Sequence, residues 1–183
     1  MERMIRKIAV AAGGCALLFL PGHAAAVDGL SLQVGQGNGR TSIIRAGVTW
    51  NWRDEWPAAQ DWRLAGYWEA IAAYWENHEE STAELALTPV FRLQRGASRE
   101  GSPYVEAAIG FHLVQTHISA GRVFSTAFQF GDHIGIGYRF GKGGRYDLGA
   151  RVQHISNGGI RKPNPGFNLV VIRLQYYLDE PSR

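Results

Sequence analysis

The chain has 183 residues and a mass of 20.2 kDa, with 45% apolar and 19% charged side chains, 23 glycines, one cysteine and a formal charge of +3. This supports one domain with a sizeable core, and it excludes a disordered chain, a coiled coil and a disulfide scaffold. Beyond the N-terminal region no apolar run approaches the roughly 20 residues that a membrane helix needs.

Residues 1–26 read as a secretory signal. Arg3, Arg6 and Lys7 give a positive start, Ile8 to Leu20 an apolar stretch, Pro21 and Gly22 a break, and Ala24-Ala25-Ala26 a small-residue cleavage site. Cleavage is expected after Ala26. The apolar stretch is too short to span a bilayer as a retained helix, and Cys15 inside it does not read as a lipoprotein anchor. Residues 27–183 then carry 16 basic and 15 acidic side chains and no cysteine. They hold no basic stretch to neutralise phosphates, so no nucleic-acid partner is expected.

In chain order, alternation with a period of two predicts eight strands, at 28–36, 41–53, 61–76, 82–95, 102–116, 127–140, 144–155 and 167–179. In the second, Ile44, Ala46, Val48, Trp50 and Trp52 share one face, opposite Arg45, Gly47, Thr49, Asn51 and Arg53. The fourth sets Leu85, Leu87, Pro89, Phe91 and Leu93 against Glu84, Thr88, Arg92 and Gln94. In the fifth, Val105, Ala107, Ile109, Phe111 and Leu113 oppose Glu106, Gly110 and His112. The seventh sets Tyr146, Leu148, Ala150 and Val152 against Asp147, Gly149, Arg151 and Gln153.

Segments this long suit tilted strands crossing a bilayer. The reading is an all-β fold: an eight-stranded antiparallel transmembrane β-barrel, apolar outside. Inside, Arg45, Arg63, Arg92, Arg151 and Arg173 are available to pair with Glu69, Glu84, Glu106 and Asp147. Glycines 47, 110, 135, 137 and 149 leave room for them. Eight strands give a lumen just filled by side chains, which disfavours a diffusion pore. Trp50, Trp52, Trp56 and Trp62 near one end, with Tyr74 and Trp75 at the other, suit interfacial girdles. The competing architecture is a soluble lipocalin-type barrel with the same alternation inside out. Strand length, the tryptophans and the scarcity of lysine (only Lys142 and Lys162 after the signal) favour the membrane barrel.

For an outer-membrane barrel the turns at 54–60, 96–101 and 141–144 would be periplasmic, and the loops at 77–81, 117–126 and 156–166 outside, the last two being the longest in the chain. The seventh strand then ends at the outer leaflet, in His154-Ile155-Ser156-Asn157-Gly158-Gly159. By parity His154 and Ser156 continue the lipid face. Asn168 shares that face on the eighth strand with Val170, Ile172 and Leu174. A base, a hydroxyl and an orienting amide are the parts of an acyl-transfer site. Backbone N–H groups at Asn157, Gly158 and Gly159 are suited to an oxyanion hole, and Arg161 and Lys162 to headgroup phosphates. The plain alternative is a histidine at a barrel rim followed by a polar turn. His112 and His133 fall on inward faces, His78 and His117 in outside loops, and no pair has metal-ligand spacing. GQGNG and GIGYRFGKGG precede no helix, so neither reads as a phosphate loop.

The stretch HISNGGIRKPNPGFN resembles the signature of the PagL family of lipid A 3-O-deacylases, and the likeness extends to GVTWNW, RLAGYWEAIAAYWE and LTPVF. The resemblance implies an eight-stranded outer-membrane barrel that hydrolyses the ester-linked acyl chain at the 3-position of lipid A in the outer leaflet. It implies Ser156 as nucleophile and His154 as general base. Asn157, with the amides of Gly158 and Gly159, would stabilise the oxyanion. The family's triad ends in a carboxylate fourteen residues after the histidine, where this chain has Asn168. An amide oxygen can fix the imidazole tautomer but supplies no charge. A slow enzyme, recruitment of another acid and lost activity all stay open. No cofactor or metal is called for, since ester hydrolysis needs only nucleophile, base and oxyanion donors. The alternative functions are a non-catalytic structural or adhesion barrel on the same scaffold, and a periplasmic lipid-binding barrel. The oligomeric state is left open, a homodimer included.

Overall fold

The computed structural model describes residues 26–78, 80–96, 101–115, 117–118 and 122–178. The predicted signal, but for Ala26, and the tail from Asp179 to Arg183 lie outside the described residues. The strands are β1 (Gly29–Gly37), β2 (Thr41–Asn51), β3 (Trp56–Ala59), β4 (Trp62–Glu76), β5 (Ser81–Arg95), β6 (Ser102–Val114), β7 (His117–Ile118), β8 (Arg122–Val123), β9 (Phe128–Phe140), β10 (Tyr146–Ser156) and β11 (Phe167–Tyr177). Eight of them form one antiparallel meander, β1-β2-β4-β5-β6-β9-β10-β11, and the β1–β11 pairing closes it into a barrel. Closure leaves no strand edge in hydrocarbon, where an unpaired backbone group costs several kcal/mol.

The eight long strands fall within three residues of their expected bounds, because a period of two persists through each. The short elements departed from expectation. The 54–60 turn contains β3, which folds back on β4 from Trp56↔Leu64 to Ala59↔Trp62 with an irregularity between Pro57 and Ala59. Four residues with a proline make a weak alternation signal, and proline suits such an edge. The loop after β6 holds the β7–β8 ribbon, two residues a side.

Burial follows the parity. Ile109, Ile134 and Ile136 point outward with 66%, 68% and 65% of their surface exposed. Arg45, Glu69, Glu84, Arg92, Glu106, Asp147, Arg151 and Arg173 point inward and are at most 5% exposed. A soluble barrel would show the reverse, so the lipocalin-type alternative is overturned. So continuous an apolar exterior belongs in lipid.

Buried charges require partners, and the lumen supplies them. Arg151 reaches Glu69 and Glu106, both at 2.6 Å, and Arg92 reaches Glu106 and Asp147, both at 2.8 Å. Arg173 lies 3.2 Å from Asp147. Nearer the β10–β11 loop, Arg45 pairs with Glu84 at 3.0 Å, and Glu84 also meets His112 Nδ1 at 2.5 Å. Glycine makes this possible: a Cβ at Gly110 or Gly137 would come within 2.1 Å of Thr88 Oγ1 or Tyr104 Oη.

Two inward or interfacial expectations, for Arg63 and Trp75, are corrected. Arg63 is not in the lumen; it lies exposed on β4 beside Glu55, at 3.5 Å. His133 lies in the lumen as its parity implies, with Nε2 3.9 Å from Glu106 Oε1. Trp75 belongs to no girdle. It points inward, 1% exposed, and stacks on Phe167 with ring centroids 4.8 Å apart. Ile43, Val114, Phe124, Ile155, Leu169 and Val171 join them in an apolar plug at that end of the lumen.

Candidate active site

β10 ends above this plug. Ile155 and Phe167, both fully buried, anchor β10 and β11 from inside. Their outward neighbours His154, Ser156 and Asn168 are therefore carried by backbone that has little freedom to shift. His154 and Ser156 are half-buried and Asn168 is exposed on the outer wall. The register sets His154 directly opposite Asn168.

His154 Nδ1 lies 2.6 Å from Asn168 Oδ1. An amide oxygen only accepts, so Nδ1 carries the hydrogen and Nε2 is the basic nitrogen. The Asn168 backbone N–H donates in turn to Asn38 Oδ1 at 2.7 Å, tying the acceptor to the β1–β2 turn. Over the ring sits Gly166, at φ +62, where a Cβ would stand 2.7 Å from His154 Cε1. Glycine serves both the left-handed backbone and the close approach.

Ser156 follows His154 by two residues on one face, so the two Cα atoms are about 6.6 Å apart along the strand. Among the described residues no hydrogen bond joins their side chains. The Gly158 N–H points at Ser156 Oγ from 3.4 Å.

Asn157 departs from its expected place. Its parity is inward and it is fully buried. Its Nδ2 donates to Ser125 Oγ at 3.0 Å and to the Arg161 carbonyl at 2.7 Å, while its Oδ1 accepts from the Gly159 N–H at 2.9 Å. Asn164 Oδ1 accepts from the Asn157 backbone N–H at 3.1 Å. Asn157 thus shapes the loop rather than facing Ser156. The Gly159 and Asn157 amides are occupied, and Gly158 remains as the donor aimed at the serine. Arg161 and Lys162 are exposed on the same loop.

Sequence reasoning missed Asp132. It shares the outward face of β9 with Phe130 and Ile134, and the β9–β10 register places it opposite His154 on the side away from Asn168. Its signal was parity, a lone acid in an otherwise apolar alternation. Phe130, opposite Ser156, belongs with Phe111 and Phe128 to an aromatic cluster beside the site.

Comparison with known proteins agrees with this architecture. The model of the family described as lipid A 3-O-deacylase (PagL) matches residues 43–177. A protein of Pseudomonas aeruginosa named lipid A deacylase PagL is 32% identical over 139 residues, covering 75% of this chain and 79% of the relative. One of the same name from Bordetella bronchiseptica is 35% identical over 112 residues, covering 61% of this chain and 58% of the relative. The crystal structure of the outer membrane enzyme PagL superposes with a TM-score of 0.73 at 28% identity, covering 81% of this chain and 98% of that one. The chain belongs to the PagL family of lipid A 3-O-deacylases, outer-membrane barrel enzymes.

Proposed function

We propose that this chain removes the ester-linked acyl chain at the 3-position of lipid A, with Ser156 as nucleophile and His154 as general base. The observation that carries the reading is the 2.6 Å contact of His154 Nδ1 with Asn168 Oδ1 on the lipid-facing wall, two residues from Ser156. It leaves Nε2 free to take the serine proton. Ser156 Oγ bonds to the ester carbonyl carbon and its proton passes to Nε2. The Gly158 N–H supports the oxyanion. The ester C–O bond then breaks and the departing alcohol oxygen takes the proton from His154. Water attacks the acyl-enzyme by the same route and frees Ser156. The serine–histidine contact is expected to tighten once substrate is bound.

The site belongs, on this reading, at the outer leaflet. It lies at the barrel end opposite Gly29 and Tyr177, the end that carries the longest connection, residues 115–127. Arg161 and Lys162 would meet the headgroup phosphates there. Export fits the same picture. A cut after Ala26 leaves one residue ahead of Asp28, whose N–H bonds to the Thr49 carbonyl at 2.9 Å. A non-catalytic barrel on the same scaffold is not favoured, because it gives the polar groups on the lipid face no use.

The test is the mass of lipid A from a Gram-negative host expressing the protein. Wild type should remove one 3-hydroxyacyl chain. Ser156→Ala, inserted equally well, should lower turnover by roughly 10³-fold or more. Unchanged lipid A in cells with a correctly inserted wild-type barrel would sink the proposal.

A further inference from the structure

His154 stands between two strands that offer it different things. On β11 it meets Asn168, which accepts the Nδ1 hydrogen. On β9 it meets Asp132, its direct partner in register. Paired residues on one face of a sheet have Cβ atoms about 4.5–5.5 Å apart. Asp132 is exposed, and among the described residues it makes no hydrogen bond or ion pair. Phe130 and Ile134 flank it on the same face. A carboxylate aimed at the hydrocarbon boundary is unfavourable unless something offsets it. The lumen ion pairs lie on the other face of the sheet, so the fold makes no use of it.

The charge has a use in the hydrolysis. An amide stabilises a histidine tautomer, not a histidine cation, and a cation forms each time Nε2 takes a proton. β11 presents no charge toward the ring: its outward residues near His154 are Asn168 and Val170. The loop beyond carries the cations Arg161 and Lys162, which would oppose a second positive charge.

We infer, resting on the Ser156–His154 reading above, that Asp132 supplies the negative charge that stabilises the His154 imidazolium while Asn168 fixes the ring's orientation. Two roles that one carboxylate can fill are divided between strands on either side of the histidine. Asp132 takes no part in the proton transfers. The proton leaves Ser156 Oγ, rests on His154 Nε2, and goes to the departing alcohol oxygen. Asp132 acts through His154, so it is a positioning residue. The low dielectric of the membrane boundary makes a charge at this range count for more than it would in water.

The experiment uses the full chain refolded in detergent, with lipid A in mixed micelles and acyl release read by mass spectrometry. Heat-modifiable gel migration checks the fold of every variant. Asp132→Asn should lower kcat roughly ten- to hundredfold with little change in KM. Asp132→Glu should keep most of the rate. Asn168→Glu, added to Asp132→Asn, should restore it by returning the charge from the opposite strand. If Asp132→Asn turns over at the wild-type rate while Ser156→Ala is inactive, the role of Asp132 is overturned and the hydrolase reading stands. Equal losses in Asp132→Asn and Asp132→Glu, with no rescue through Asn168→Glu, overturn it as well. Activity that survives Ser156→Ala removes the underlying site instead.

Discussion

Glu106 and Asp132 face opposite sides of the same barrel wall, on neighbouring strands. Glu106 lies in the lumen and meets Arg92, Arg151 and the Tyr67 hydroxyl within 3.2 Å. Asp132 lies outside and meets none of these. Inside, every acid is matched because an unmatched one would cost more than the fold can offset. Outside, near the boundary, a polar group costs less. There the barrel keeps His154, Ser156, Asn168 and Asp132 incompletely satisfied. The lumen spends its polar chemistry on stability, and the rim holds its own available for a substrate.

That contrast can be broken at three points. The largest effect on stability is expected from Glu106→Ala, which strands Arg92 and Arg151 without their shared acceptor. It should cost about 3–5 kcal/mol in urea unfolding from lipid vesicles, while the molecules that remain folded turn over normally. A large loss of turnover per folded molecule would show that lumen and rim are not separate. Gly166→Ala should do the converse. Its new methyl, in a left-handed backbone and against the imidazole, should cut turnover roughly ten- to hundredfold and leave the unfolding midpoint nearly unchanged. The smallest effect is expected at Asp61, in the turn before β4, where the Arg95 guanidinium donates to its carboxylate from 2.7 Å. This bond holds the Asp61 carboxyl below its ordinary value. The stability it lends is present above the usual carboxylate range and is lost as pH falls through the lowered value. Both side chains are more than half exposed and screened. Asp61→Asn should therefore shift the midpoint slightly at neutral pH, and the difference should vanish in acid.

The barrel was legible because alternation is a property of every residue in a strand. Eight long segments each repeat it, and parity alone set His154, Ser156 and Asn168 on the outer wall. Loops have no such period. Nothing in the order Asn157-Gly158-Gly159 says that the asparagine turns inward to Ser125 and Arg161, or that it occupies the Gly159 amide. Trp75 was misplaced for another reason. Residue type suggested a girdle, while its parity with Glu69 and Ile71 already pointed into the lumen. Asp132 shows the same lesson from the other side, since its residue type marks no motif and its position in the alternation marks it clearly.

The close spacing of His154 and Ser156 on one strand has a consequence for how such a gene can drift. Loops here can gain or lose codons one at a time. Within β10, a single inserted codon ahead of His154 would, if the earlier pairing held, turn both side chains toward the apolar plug and bring their neighbours out into lipid. Only even-numbered changes preserve which way these residues look, so length variation among active descendants should be confined to loops or come in pairs.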